Sequence, residues 1–238
     1  VNLANAEGLP ASPFRFGEMP KFDVFAKLLP DEAKTYKVLY AFDPLAGKLA
    51  EGGTRFVYDV DNAAQLKGPF KKVAYFLALR DRTGATSYAF VAMDPFTPDA
   101  AKLGVPCVAS GANFQQQVTG VLVKSNAKGV TAGAFAEGCN IEFYPSNYGS
   151  QNAAKIPGAD DKVYDFGDAA DPKDGAGYSA MQIHNWKAKH SILCFNRFGG
   201  GHSCDLGLGN SEGKTRDWTF TSSGKNVAQA QFLVLVLP

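Results

Sequence analysis

The chain lacks every long apolar run. No stretch approaches the roughly 18 consecutive apolar residues a membrane helix needs, and the longest, Phe232 to Pro238, has the length of a strand. Charge of one sign is missing too. Lys and Arg total 24 against 23 Asp and Glu, a net charge of +1 that gives no electrostatic footprint for nucleic acid. Histidines number three and form no helical i, i+4 pair, so a zinc hydrolase site has little to build on. No cofactor is implied. Nor is any heptad pattern sustained, which excludes a coiled coil. Cys107, Cys139, Cys194 and Cys204 include no CxxC spacing, which argues against a zinc ribbon or a thioredoxin motif. Sequons of the N-x-S/T type are absent.

What is present is turn-rich and aromatic. Glycine occurs 25 times, proline 13 times, and charged residues make up only 20%, a composition of strands and turns more than of helices. Residues 1–35 read as an irregular arm punctuated by Pro10, Pro13, Pro20 and Pro30, with Phe14, Phe16, Phe22 and Phe25 to pin it and one short helix over 23–29. From Tyr36 the texture becomes short runs rich in Val, Tyr and Phe, separated by Gly, Pro, Asp and Asn. Roughly ten strands follow from these runs. They predict an all-β protein over 36–238, an antiparallel β-sandwich of jelly-roll type in one domain. The apolar last strand suits a partly buried position, and DLGLGN (205–210) reads as a β-turn. Residues 145–178 form a long loop of the kind that usually carries function.

The cysteine count is even, and Cys194 and Cys204 flank a loop. That predicts a Cys194–Cys204 disulfide with Cys107–Cys139 as the second pair, although four cysteines allow three connectivities. Buried thiols are the alternative. A chain that starts at Val1 is expected to be a mature product whose signal peptide is gone, secreted or periplasmic.

Several motifs fail on inspection. Gly207 to Thr215 imitates a phosphate loop, but Leu208 stands where glycine is required and a strand follows where a helix should begin. No G-x-S-x-G elbow exists, so a serine esterase is not expected. Asp168, Asp171 and Asp174 lack calcium-loop spacing.

Alternation in strands gives the most informative pattern. With Ile141 and Phe143 inward, Asn140, Glu142 and Tyr144 share the opposite face. With Met181 and Ile183 inward, Gln182, His184 and Trp186 do the same. If the two strands are neighbours, the combined surface suits a sugar: aromatic faces stack on pyranose C–H groups, and amides and carboxylates pair with vicinal hydroxyls. The expected glycan contacts are Trp186, Tyr144 and Tyr148 for stacking, and Glu142, Gln182, His184, Asn185 and Asn147 for hydrogen bonds. The rival is a polysaccharide lyase. Gln182 would neutralise a uronate carboxylate, His184 would take the C5 proton, and Tyr144 or Tyr148 would protonate the leaving oxygen. Gln182-Ile183-His184 also resembles the QIH motif of jelly-roll alginate lyases, whose other strand motifs are missing here. A structural or adhesion module with a merely solvated polar face is the third reading.

A wider similarity runs from about Tyr36 to the C-terminus. The segments YDVDN (58–62), KVAYFLAL (72–79), MDPF (93–96), LGVPCVASGANFQQQV (103–118), NIEFYPSNYG (140–149), YSAMQIHN (178–185), DLGLGN (205–210) and DWTF (217–220) carry it. In that order the chain resembles a β-sandwich domain of bacterial, planctomycete-type secreted sialate O-acetylesterase-like proteins. The resemblance implies a secreted, carbohydrate-active setting. It brings no esterase chemistry, because the nucleophile block of that class is missing. It implies an accessory, sugar-binding module with a glycan or polysaccharide as ligand and a catalytic module as partner in the full-length protein. Neither nucleic acid nor membrane is an expected partner. Cys107 and Cys139 stand where the family has other small residues, which would make the disulfides particular to this chain.

Overall fold

The computed structural model describes residues 23–46, 56–105, 114–144, 177–185, 187–188, 190–198, 204–210, 218–221 and 227–238. Thirteen strands lie among these residues. They are β1 (Lys37–Phe42), β2 (Val60–Asp61), β3 (Lys72–Asp81), β4 (Thr86–Met93), β5 (Phe114–Val118), β6 (Val121–Ser125), β7 (Gly133–Phe135), β8 (Cys139–Tyr144), β9 (Gly177–Asn185), β10 (His190–Phe198), β11 (Cys204–Asn210), β12 (Trp218–Thr221) and β13 (Val227–Leu237). They form a seven-stranded sheet ordered β2-β1-β13-β3-β4-β6-β7 and a six-stranded sheet ordered β12-β11-β10-β9-β8-β5. Every pairing is antiparallel. The expected antiparallel sandwich is therefore the architecture. The chain passes between sheets around β5 and β8, as a jelly roll would, but β8 to β12 then run on as a meander within one sheet.

The local causes are visible in the turns. Between β3 and β4, Asp81 Oδ1 accepts from the backbone N–H of Thr83 at 2.8 Å and of Ala85 at 2.9 Å, which folds the chain back on itself. Before that, Asp61 Oδ1 accepts from Ala63 N at 3.2 Å in an Asx turn, and Asn62 Nδ2 donates to Val38 O at 2.8 Å.

Strand β13 differs from its expected place. It lies between β1 and β3, and Phe232, Leu233, Val234, Leu235 and Val236 are all fully buried. Its alternate residues serve two cores. Phe232, Val234 and Val236 face the other sheet, while Leu233 and Leu235 face a second apolar layer with Phe25, Ala33 and Tyr36. A helical turn at Asp23–Ala26 and a 3-10 turn at Asp31–Thr35 supply part of that layer. A strand covered on both faces reads as an unbroken apolar run, which is why FLVLVL lacks polar alternation. Phe14, Phe16 and Phe22 lie outside the described residues.

Strand β11 corrects another expectation, since DLGLGN is a strand and not a turn. Leu206 and Leu208, two residues apart, both enter the core between the sheets, and Gly207 pairs with Cys194. Glycine masked an alternation that only two leucines carry.

Candidate functional site

Strands β8 and β9 lie side by side, and the register sets Asn140 opposite His184 and Glu142 opposite Gln182. Directly opposed residues share a face. Ile141 and Ile183 oppose each other on the core face, so the polar four occupy the outer face of the six-stranded sheet. On the far side Cys194 of β10 opposes Gln182. On the near side Gln117 of β5 opposes Asn140, and Gln115 pairs with Glu142. Polar residues thus run in two rows across three strands.

Adjacency was expected; enclosure was not. Asn140, Glu142 and His184 are 0% exposed and Gln182 is 1% exposed. The open, solvated face is therefore corrected to a buried one. Gln117, on the edge strand β5, is exposed and ends the first row at the surface.

A buried polar cluster survives only if its members answer one another. His184 Nε2 donates to Glu142 Oε1 at 2.7 Å, and Asn140 Nδ2 donates to the same oxygen at 2.5 Å. The two donors lie against each other as they converge on it. Asn140 Oδ1 is buried and has no hydrogen-bond partner. Burial pushes the pKa of His184 below its ordinary value, against the opposing pull of the Glu142 carboxylate. The imidazole is therefore neutral at neutral pH.

That shift has a sign in stability. Above the unfolded pKa, near 6.5, neither state binds the proton. As pH falls through 6.5 the unfolded chain takes up a proton that folded His184 resists, so stability declines on the acid side. His190, also lowered by burial, adds to the same slope, and its Nε2 accepts from Thr131 N at 2.7 Å. Urea midpoints measured from pH 8 to 5 are expected to fall below about 6.5. In His184→Gln the slope should be shallower, and an unchanged slope would refute the assignment.

The remaining expected residues are dispersed. Asn185 is buried on the core face opposite Cys139, where its Oδ1 accepts from Ala188 N at 2.9 Å, so it leaves the glycan-facing set. Tyr144 ends β8, but its side chain is outside the described residues, as are Asn147, Tyr148 and Trp186 altogether.

The disulfide expectation fails for both cysteines that can be judged. Cys139 and Cys194 are buried thiols. Register explains Cys194: it opposes Gly207, while Cys204 opposes Arg197, three residues along. That offset sets the two backbone positions roughly 10 Å apart along the strand, beyond the reach of a disulfide. Cys107 lies outside the described residues. Burial pushes the Cys139 thiol up to about 12, which leaves it no thiolate for nucleophilic chemistry.

Two features escaped sequence reasoning. Gln117 sits in FQQQV, whose glutamines carry no strand propensity, so β5 went unread. A cleft of about 340 Å³ lies between two loops, lined by Pro69, Phe70, Pro95, Phe96, Thr97 and Pro98. The Phe96 ring also packs, tilted, with its centroid 5.6 Å from that of Phe114 and 6.0 Å from that of Phe143. No group of three or more metal-ligating side chains occurs among the described residues, and none of their helices could cross a membrane. No family model, no curated protein and no solved structure matches this chain.

Proposed function

We propose that the protein is a secreted carbohydrate-binding β-sandwich module, accessory to glycan degradation, that binds sugar where the polar rows of the six-stranded sheet reach the surface. The observation that carries this reading is the row Gln117–Asn140–His184, which leads from an exposed edge glutamine to a buried amide oxygen with no partner. Amides and carboxylates held in fixed register suit the paired hydroxyls of a pyranose. A cluster of this polarity is costly to bury for stability alone. The similarity to secreted sialate O-acetylesterase-like proteins points the same way, toward a carbohydrate setting and a catalytic partner module.

The lyase reading is weaker. It asks fully buried His184 to serve a polymer, and it brings a uronate toward a site where the Glu142 carboxylate already lies 2.7 Å from the imidazole.

Affinity electrophoresis of the full chain against a panel of polysaccharides tests the proposal. Retardation by at least one glycan is expected, and Gln117→Ala should weaken it roughly tenfold, the loss of a hydrogen-bonding side chain at the entrance. A folded protein that no glycan retards would overturn the reading.

A further inference from the structure

We infer that the chain pairs with a second copy of itself, edge strand to edge strand, through β5 (Phe114–Val118). The inference stands on the sheet edge and is independent of the carbohydrate reading.

An edge strand carries a row of backbone N–H and C=O groups that its own sheet does not use, and folds ordinarily blunt such edges with short strands, bulges, charges or proline. Among the described residues the sheet edges are β2, β7, β12 and β5. The first three are blunted. β2 has two residues, one of them the exposed Asp61. β7 has three and opens on Gly133 at φ of +144°. β12 has four, and its pairing with β11 is interrupted by a register shift between Gly207 and Asn210. β5 has none of these devices. It is the longest of the edges at five residues, and it pairs with β8 at every position without a register shift. It contains neither a charged residue nor a proline. Gln116 and Gln117 are exposed, so a partner strand can reach its middle.

The sequence of β5 favours another copy as the occupant. Phe-Gln-Gln-Gln-Val has the same pattern in both directions: apolar, three glutamines, apolar. An antiparallel pair of such strands, related by a two-fold axis through Gln116, sets Phe114 opposite the partner's Val118. It sets Gln115 opposite the partner's Gln117, and Gln116 opposite the partner's Gln116. Each position then meets its own kind. A primary amide both donates and accepts, so glutamine facing glutamine is self-complementary. The axis is normal to the sheet, which keeps the core faces of both copies on one side. A net charge of +1 leaves little long-range repulsion between copies.

Such a pairing closes on itself. Once two β5 edges meet neither is left open, so assembly stops at the dimer. The contact also extends the polar row His184–Asn140–Gln117, whose last member comes to lie opposite the partner's Gln115. Five residues a side make a small interface, below the roughly 1,000 Å² of a stable complex, so the dissociation constant is expected to be on the order of 100 µM.

Sedimentation velocity of the full chain from about 5 to 500 µM, a range that brackets that constant, tests the inference. Wild type is expected to move from monomer to dimer and no further. Gln116→Lys and Gln116→Glu, both at an exposed position, set like charges across the axis. Each should weaken self-association at least about fivefold. An equimolar mixture of the two variants sets opposite charges across the same axis and should restore the dimer. Monomer throughout the range, species larger than a dimer, or a dimer that Gln116→Lys leaves intact would each overturn the inference. A mixture that stays monomeric would overturn it as well, by removing Gln116 from the axis.

Discussion

Replacing Glu142 by leucine is expected to lower folding stability by about 3 kcal/mol, the cost of breaking a buried pair by deleting one partner. The carboxylate is fully buried and accepts from both His184 Nε2 and Asn140 Nδ2. Without it both donors lose the acceptor they share in the interior, and a buried donor left unsatisfied carries a desolvation penalty of about 1–3 kcal/mol. His184→Leu should cost less, since the carboxylate keeps its amide donor. The informative variant is the double one. If the cluster acts as a unit, Glu142→Leu/His184→Leu will be less destabilised than the sum of the two singles by about 1–3 kcal/mol. Urea denaturation at pH 7.5 measures all three, and additive losses would show that the cross-strand geometry does not couple them. The same variants bear on function. A cluster kept only for packing should tolerate the apolar pair without loss of glycan binding, whereas a recognition site should lose it even where stability is recovered.

Much of this site was legible because β-strand alternation is a strict rule of two. Asn140 and Glu142 had to share a face, as did Gln182 and His184, and only the pairing of β8 with β9 was a wager. What alternation cannot report is whether a second layer covers a face. Leu233 and Leu235 announced theirs through hydrophobicity, whereas Glu142 and His184 look like solvated residues and are not. A buried polar face and an exposed one have the same periodicity. They differ in whether partners exist three-dimensionally, and that information lies in the register and not in the local sequence. The disulfide expectation failed on the same point. Loop-flanking cysteines suggest a bridge, but a three-residue offset along β10 and β11 decides against it. In β10 alternation alone does not say whether Leu193 or its neighbours Ile192 and Cys194 face the core. A bulge between Ser191 and Leu193 lets Ile192 and Leu193 both reach the core, and Cys194 joins the polar face.

Gly209→Ala is expected to be the other large loss, again about 3 kcal/mol, because conformational strain and overpacking coincide there. Gly209 has φ of +74°, a left-handed conformation that alone costs an alanine roughly 1–2 kcal/mol. An added Cβ would also stand 2.5 Å from the carbonyl carbon of Gly129 and 2.8 Å from Val130 N. These are backbone atoms of the turn joining β6 and β7, in the opposite sheet, so no rotamer change relieves the contact. Gly68→Ala provides the control. Its φ is +101° but nothing lies within 4 Å of the added methyl, so it should show the conformational cost alone. The difference between the two midpoints in urea isolates the inter-sheet contact. Equal losses would mean that β11 does not meet the β6–β7 turn. A larger loss at Gly209 would establish that the meander carrying β9 and β10 is seated against the other sheet at this point. The consequence reaches the polar rows, since β10 holds β9 in register and β9 presents His184 and Gln182 to Asn140 and Glu142. On the proposed carbohydrate reading, a Gly209→Ala protein that still folds should therefore bind glycan more weakly than Gly68→Ala, although position 209 lies two strands away from β9.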